Sequence, residues 1–319
     1  RPPISTLFPY TTLFRPGLRG GRPENPLREE PVKAQTLPPR PDTPLKAESP
    51  WVRTGRAFVR HRTAFLAGLV LGVVVLLALL APVLAPYPPD YIDLAARARP
   101  PSPEHPLGTD RLGRDIASRL LFGARVSLFV AAAAVLLATF LGTLVGLAAG
   151  YFGGWVDAVL SRTVDALLSM PTFFILVAVQ SLLPPSVWNV VGIIGLTTWL
   201  GLARIVRGQV LSLREREFIL AARALGLPTG RIIGRHLLPN VAGPVIVFAT
   251  LGVADAVLIE AALSFLGLGV PPFEASWGNM LTDGQVAALS GAWWIPLFPG
   301  LVILITALAV NLVGDGLQQ

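Results

Sequence analysis

Three carboxylates within or beside long apolar segments are the residues of this sequence best suited to do chemistry. Asp165, Asp255 and Glu260 are flanked mostly by Ala, Leu, Val and Ile. An ionised carboxylate in the middle of a membrane is energetically costly, so each must face a cavity, a partner or the membrane interface. Carboxylates so placed are typical of pathways for solutes or ions.

The three positions predict different roles. Asp165 follows Arg162 by three residues, a spacing that on a helix favours a surface ion pair. Asp255 lies deep in an apolar segment, and two interpretations stay open: it faces a translocation pathway, or a neighbouring helix satisfies it. Glu260 lies nearer the end of that segment, and we hypothesise that it orders the loop that follows.

Catalytic, metal and nucleotide chemistry find no support in the residue types. His61, His105 and His236 are scattered without metal-ligand spacing, and the chain has no Cys. The sequence contains no Gly-x-x-x-x-Gly-Lys-Ser/Thr motif, the loop that cradles a triphosphate. We therefore expect no catalytic residue, metal or cofactor in this chain.

The composition identifies the protein class. Of 319 residues, 53% are hydrophobic and only 14% are charged, whereas soluble domains carry roughly 25% charged residues. Long uncharged runs therefore predict an all-α polytopic membrane protein. The basic residues behind the net charge of +7 all lie outside these runs, where membrane topology explains them, so we expect lipid and not nucleic acid as a partner.

Six runs are close to the ~20 residues that a membrane-spanning helix needs. They cover residues 63–84, 126–150, 164–183, 188–203, 242–266 and 293–313. Four Arg precede the first run, whereas the loops after the third and fifth runs contain no Lys or Arg. The positive-inside rule therefore predicts that both termini, and the Arg-rich loop between the fourth and fifth runs, are cytoplasmic.

The chain divides into three predicted parts. Residues 1–50 are rich in Pro and predict a disordered cytoplasmic tail, the start of which resembles translated adaptor sequence. Residues 51–125 hold the first span and a periplasmic or interfacial connector, and residues 126–319 hold a five-helix core with a coupling loop at 204–240.

Several residues of these parts have specific expected roles. Asp110 and Asp115 are expected to begin an amphipathic helix. Met170–Pro171 is expected to kink or unwind the third span, which is common where a helix lines a pathway. A further expectation concerns the aromatic belt at the outer membrane interface. It consists of Trp277, Trp293 and Trp294.

The loop between the fourth and fifth spans predicts a short helix. Ser212 and Glu215 have capping-box spacing, and Gly226 followed by Pro228 is a stop signal, which gives a helix over about 213–225. A second short turn over 231–236 is expected to end at Pro239. The first helix would carry one apolar stripe, for packing on the protein itself or for insertion into a groove of a soluble partner. The stripe consists of Phe218, Ala221, Ala222 and Leu225.

The stretch AARALGLPTGRIIGRHLLP resembles the signature loop of permease subunits of bacterial ABC importers. Leu220 stands where that signature has Glu, and His236 where it has Ile, although Glu217 remains available one turn earlier. Five positions match in register: Ala221, Ala222, Gly226, Leu238 and Pro239. The segments 105–128 and 260–281 are similar to the second permease subunit of dipeptide, oligopeptide and nickel importers.

This resemblance implies a function and a set of partners. It implies alternating access in an importer for peptides or a related small solute, driven by a separate ATPase that docks on the loop helix. The implied partners are a homologous permease subunit, two ATP-binding subunits and a periplasmic or lipid-anchored solute-binding protein. Asp255, Glu260, Met170 and Pro171 are the candidates for the pathway. The alternatives are a proton-coupled secondary transporter with Asp255 as carrier, and a membrane anchor without a pathway.

Overall fold

The computed structural model describes residues 62–318, and within this range the backbone is almost entirely helical and forms no strand. The predicted tail at 1–50 and three of the four Arg that precede the first span lie outside the described residues. Eleven α-helices are found in this range. They are α1 Arg62–Leu79, α2 Ala81–Leu84, α3 Ile116–Phe152, α4 Gly154–Leu168, α5 Thr172–Gln180, α6 Val187–Leu213, α7 Glu217–Ala224, α8 Thr229–Ile232, α9 Leu238–Phe265, α10 Trp277–Leu289 and α11 Trp294–Gln318.

Five helical segments are long and apolar enough to cross a membrane, and a bent pair makes the sixth. The five are α1, α3, α6, the continuous run 229–265 and α11. The pair is α4 with α5, which meet at 82°. Five of the six predicted spans are therefore confirmed, and the third corresponds to this bent pair. Helix α3, with 37 residues, begins ten residues before the predicted start of its span.

The third span differs from a simple kinked helix. α4 ends at Leu168 and α5 begins at Thr172, so the break falls at the predicted Met170–Pro171. Pro171 lacks an amide hydrogen and favours an extended residue before it, which explains the break. Part of the segment that was expected to be a loop before this span is instead helix α4.

The prediction that Pro239 ends a short turn is wrong. Pro239 lies in the first turn of α9, where its missing amide hydrogen is tolerated. A π-helical turn at Ile233–Leu237 precedes it, and the Leu238 amide donates to the Ile233 carbonyl. The helix therefore continues from α8 into α9.

A glycine stripe lets α3 and α6 pack closely. Gly142, Gly146 and Gly150 recur every fourth residue of α3, and a methyl group on any of them would collide with α6. A Cβ at Gly142 would lie 2.8 Å from the Trp199 carbonyl oxygen, and one at Gly146 would lie 2.7 Å from that of Ala203. This small-residue spacing is typical of close helix packing in membranes.

α3 is about 55 Å long, and its two ends define the two ends of the bundle. Leu120, near its start, contacts α10, and Tyr151, near its finish, contacts Arg223 of α7. We therefore name them the α10 end and the α7 end.

Candidate functional site: the α7 surface and a cavity with one carboxylate

α7 stops where predicted but begins later. Gly226 adopts a φ of +72°, which favours glycine, and the Leu227 amide donates to the Ala222 carbonyl at 3.1 Å. The capping-box prediction is wrong, because Ser212 belongs to the last turn of α6. That helix runs 27 residues, to Leu213, and α7 begins at Glu217 without a side-chain cap.

The predicted apolar stripe is divided between two faces of α7. Ala222 is 6% exposed and packs inward together with Ile219, which is fully buried. Phe218 and Ala221 are exposed, and Leu225, just after the helix, is 80% exposed. The inward face is therefore set by Ile219 and Ala222, and the other three stripe residues are exposed.

The inward face of α7 joins it to two spans. Ile219 and Ala222 share a buried cluster with Val206 and Val210 of α6 and Val241 of α9. On the same helix, the Arg223 guanidinium lies 4.9 Å from the centre of the Tyr151 ring of α3. Helix α7 is therefore attached to α6 and α9 by buried packing and to α3 by this ring contact.

The outward face of α7 presents apolar side chains beside a charge. Glu217, in the first turn, is exposed, and so are Leu220 and Pro239. The Phe218 ring lies 6.4 Å from the ring of His236. An exposed apolar helix face of this kind is suited to a groove on another protein.

Two ion pairs connect α4 to α6 near the α7 end. Arg207 donates to both carboxylate oxygens of Asp157, and its Nη2 lies 2.7 Å from Oδ2. Arg204 Nη2 donates to Asp165 Oδ1 at 2.6 Å, so the predicted pairing of Asp165 with Arg162 is wrong. Helix α4 turns these carboxylates toward α6, which a local spacing rule cannot anticipate.

Asp255 lines a cavity of about 370 Å³ between α3, the bent pair, α6 and α9. The structure brings Thr172, the first residue after the break, to this cavity, but Met170 and Pro171 do not line it. The remaining lining residues are mostly apolar. They are Val135, Ala138, Leu168, Thr197, Thr198, Leu200, Gly201, Phe248, Gly252, Leu258 and Ile259.

Glu260 lies in a different environment from Asp255. It is fully buried, and its carboxylate accepts hydrogen bonds from Ser127 Oγ at 2.9 Å and Ser264 Oγ at 2.8 Å. The same two hydroxyls accept from the backbone amides of Trp277 and Val270. Glu260 thus joins α3 to the segment that follows α9.

Charged residues at the α10 end form a buried cluster that the sequence did not reveal. Asp110 Oδ2 accepts from Arg114 and Arg119 at 2.6 Å each, and Asp283 accepts from the same two guanidiniums at 2.8 Å. The prediction that Asp110 begins a helix is therefore wrong. Asp115 does cap α3, accepting from a backbone amide in its first turn at 2.8 Å.

The predicted aromatic belt is wrong for two of its three members. Trp277 is fully buried and donates to the Leu120 carbonyl at 3.1 Å, and Trp294 is 8% exposed and donates to the Thr109 carbonyl at 3.2 Å. Only Trp293 is largely exposed, at 56%. The two buried indoles fasten the α10 end internally, which a rule for lipid-facing aromatic residues does not consider.

Two family models match most of the described range and leave residues 102–141 between them. A family model described as binding-protein-dependent transport system inner membrane component matches residues 142–319. A second, described as the N-terminal TM domain of oligopeptide transport permease C, matches residues 49–101.

Named relatives cover most of the chain. It is 43% identical over 272 residues to a putative peptide permease protein of Brucella suis biovar 1, covering 85% of this chain and 90% of the relative. It is 40% identical over 281 residues to a dipeptide transport system permease protein of Alkalihalophilus pseudofirmus, covering 88% and 92%. A putative peptide transport system permease protein of Brucella abortus biovar 1 is 42% identical over 274 residues, covering 85% and 91%.

Proposed function

Because the chain belongs to the family of binding-protein-dependent transport system inner membrane components, we propose that it is the permease subunit through which an ATP-driven importer admits peptides. The relatives at 40–43% identity are named as peptide or dipeptide permeases, which supports the solute class. The observation that carries the proposal is α7, which is buried on one face and exposed on the other.

α7 is proposed to be the site where a separate ATPase subunit binds. Phe218, Ala221 and Leu225 offer the apolar contact, and Glu217 offers a charge at its edge. Closure of the ATPase would pull on α7, and the buried contacts of Ile219 would pass this displacement to α6 and α9. Alternating access follows if these spans swing together.

The full assembly is proposed to contain this chain, a homologous permease subunit, two ATP-binding subunits and a solute-binding protein. ATP is proposed to bind only to the ATP-binding subunits. The Arg-rich loop and both termini are proposed to face the cytoplasm, which the positive-inside rule supports. The α10 end would then face the binding protein.

The cavity that contains Asp255 is proposed to belong to the translocation pathway, with the break after Met170 and Pro171 forming one of its walls through Thr172. Glu260 is proposed to order the loop between α9 and α10, because its serine partners also hold the amides of Val270 and Trp277. Asp255 is also the residue on which a proton-coupled mechanism would depend.

Reconstitution distinguishes these mechanisms. Proteoliposomes that contain the complete assembly should take up labelled dialanine only with ATP and binding protein, and liposomes with this chain alone should not. Dialanine uptake by the chain alone, driven by a proton gradient, would overturn the proposal in favour of a secondary transporter. A complete assembly that moves no peptide would indicate a different solute.

A further inference from the structure

Asp255 differs from the other carboxylates of its own helix, α9, and of helix α4. Helices α4 and α9 contain four acidic side chains, and three of them are paired: Asp157 and Asp165 with arginines, and Glu260 with two serines. Across residues 62–318, no hydrogen bond or ion pair reaches the Asp255 carboxylate, and its side chain is exposed within the chain.

The position of Asp255 makes this lack of a partner costly. It lies ten residues before the end of α9 at Phe265, a distance of about 15 Å along the helix axis. That is about half the thickness of the ~30 Å hydrocarbon core. A carboxylate at this depth is tolerated where it meets water or a cation.

The neighbouring hydroxyls do not donate a hydrogen bond to the Asp255 carboxylate. Thr197 and Thr198 donate back to carbonyl groups one turn earlier in α6, at 2.7 Å and 2.8 Å to Ile193 and Ile194. Their oxygens can still accept hydrogen bonds. None of the residues that line the cavity is Lys, Arg or His.

The cavity thus combines one negative charge, hydroxyl acceptors and apolar walls. Its volume of about 370 Å³ lies in the range of sites for small organic ligands. This chemistry complements a solute with a protonated amine and a compact apolar body, because an ammonium can donate to the carboxylate and to the hydroxyls at once.

We propose that Asp255 binds the ammonium group of the peptide as it passes through the permease, so that the cavity selects cationic ends. This inference rests on the proposed function, because it assigns a ligand class to the same pathway. The residue is then a specificity determinant placed inside the membrane.

The charge preference of the cavity can be measured on the assembled transporter in detergent, because this chain has no Cys. Thr198→Cys introduces one thiol beside Asp255, and Thr197→Cys gives a second position. We expect a cationic methanethiosulfonate to react with either thiol about tenfold faster than an anionic one of similar size. Asp255→Asn in the same background should bring the two rates together.

A thiol outside the cavity provides the control. Leu94 is 63% exposed in the connector, and the relative rates at Leu94→Cys should not respond to Asp255→Asn. Cavity thiols that react with neither reagent, or with equal rates for both charges, would overturn the inference.

Uptake of labelled dialanine supplies a readout that separates the two proposals. Asp255→Asn should lower ATP-driven uptake about ten- to hundredfold, the loss of one charged hydrogen bond, and Asp255→Glu should retain most of it. If the wild type takes up dialanine and Asp255→Asn takes it up equally well, the ammonium site is rejected and the proposed function stands. No wild-type uptake would count against the proposed function, whereas the reagent rates would still decide on the cation site.

Discussion

The two ends of the bundle differ in how their side chains are buried and paired. At the α10 end, charged and aromatic side chains are buried and paired, as in the cluster of Asp110 and Arg119 and in the fully buried Trp277. At the α7 end, apolar side chains are left outside, with Leu225 80% exposed. The ends differ in their charges: the ion pairs near the α7 end are partly or largely exposed, unlike the Asp110–Arg119 pair. Apolar side chains are exposed at both ends, and Leu289 of α10 is 91% exposed.

The two ends are therefore suited to different roles. A buried ion-pair network fixes geometry, because each charge requires its partners in place. An exposed apolar face destabilises the isolated chain little, and its burial under another protein stabilises the complex. The α10 end is therefore suited to act as a fixed frame, and the α7 end as a contact for a partner.

Removing a charge from the α10 end should have the largest effect on stability. Arg119→Ala removes a guanidinium partner from the buried Asp110 carboxylate, and should lower the free energy of unfolding by about 4 kcal/mol. Thermal unfolding of the purified chain in detergent measures this. Arg125→Ala, on the exposed side of the same helix, should change stability by less than about 0.5 kcal/mol. Equal losses for the two variants would show that the cluster does not fix this end.

The two faces of α7 should respond differently to truncation. Ile219→Ala removes a fully buried side chain and should cost about 3 kcal/mol. Leu225→Ala, a truncation of similar size, should leave the unfolding of the isolated chain unchanged and weaken binding of the ATPase subunit. Chain stability and ATPase co-purification are the two measurements. A stability loss at Leu225 as large as that at Ile219 would contradict the division of α7 into two faces.

A glycine at the α10 end should show a smaller effect. A Cβ at Gly278 would lie 2.5 Å from Ser264 Cβ and 2.8 Å from Ala261 Cα of α9. Gly278→Ala should therefore cost about 2 kcal/mol through overpacking. Gly192→Ala on α6, where nothing lies within 4 Å, should be neutral or slightly stabilising in the same unfolding assay. An unchanged stability for Gly278→Ala would mean that α10 is not tightly packed.

Local sequence signals predicted the elements of this fold well. Uninterrupted apolar runs gave the six spans, Met170–Pro171 gave the break in the third, and Gly226 gave the end of α7. Asp115 was correctly assigned to the start of a helix. Each of these features depends on residues within one or two turns of chain, so a sequence pattern is enough to find it.

Features that depend on distant segments were missed or misassigned. The contact of Arg119 with Asp283 joins residues 164 positions apart, and no local spacing reports such a pair. Ile219 was overlooked because the predicted stripe did not include the face that α6 and α9 cover. The repeat of Gly142, Gly146 and Gly150 was visible in the sequence, and its spacing could have predicted the contact of α3 with α6.

The most direct test of the account is to identify what touches the outer face of α7 in the working membrane. A photoactivatable maleimide on Leu225→Cys, the single thiol of this chain, should cross-link to the ATPase subunit, and the same probe on Leu94→Cys at the α10 end should not. Recovery of the ATPase only from position 225 is the predicted result. Labelling of position 225 by a membrane-impermeant maleimide from outside intact cells, or no cross-link to any subunit, would contradict it.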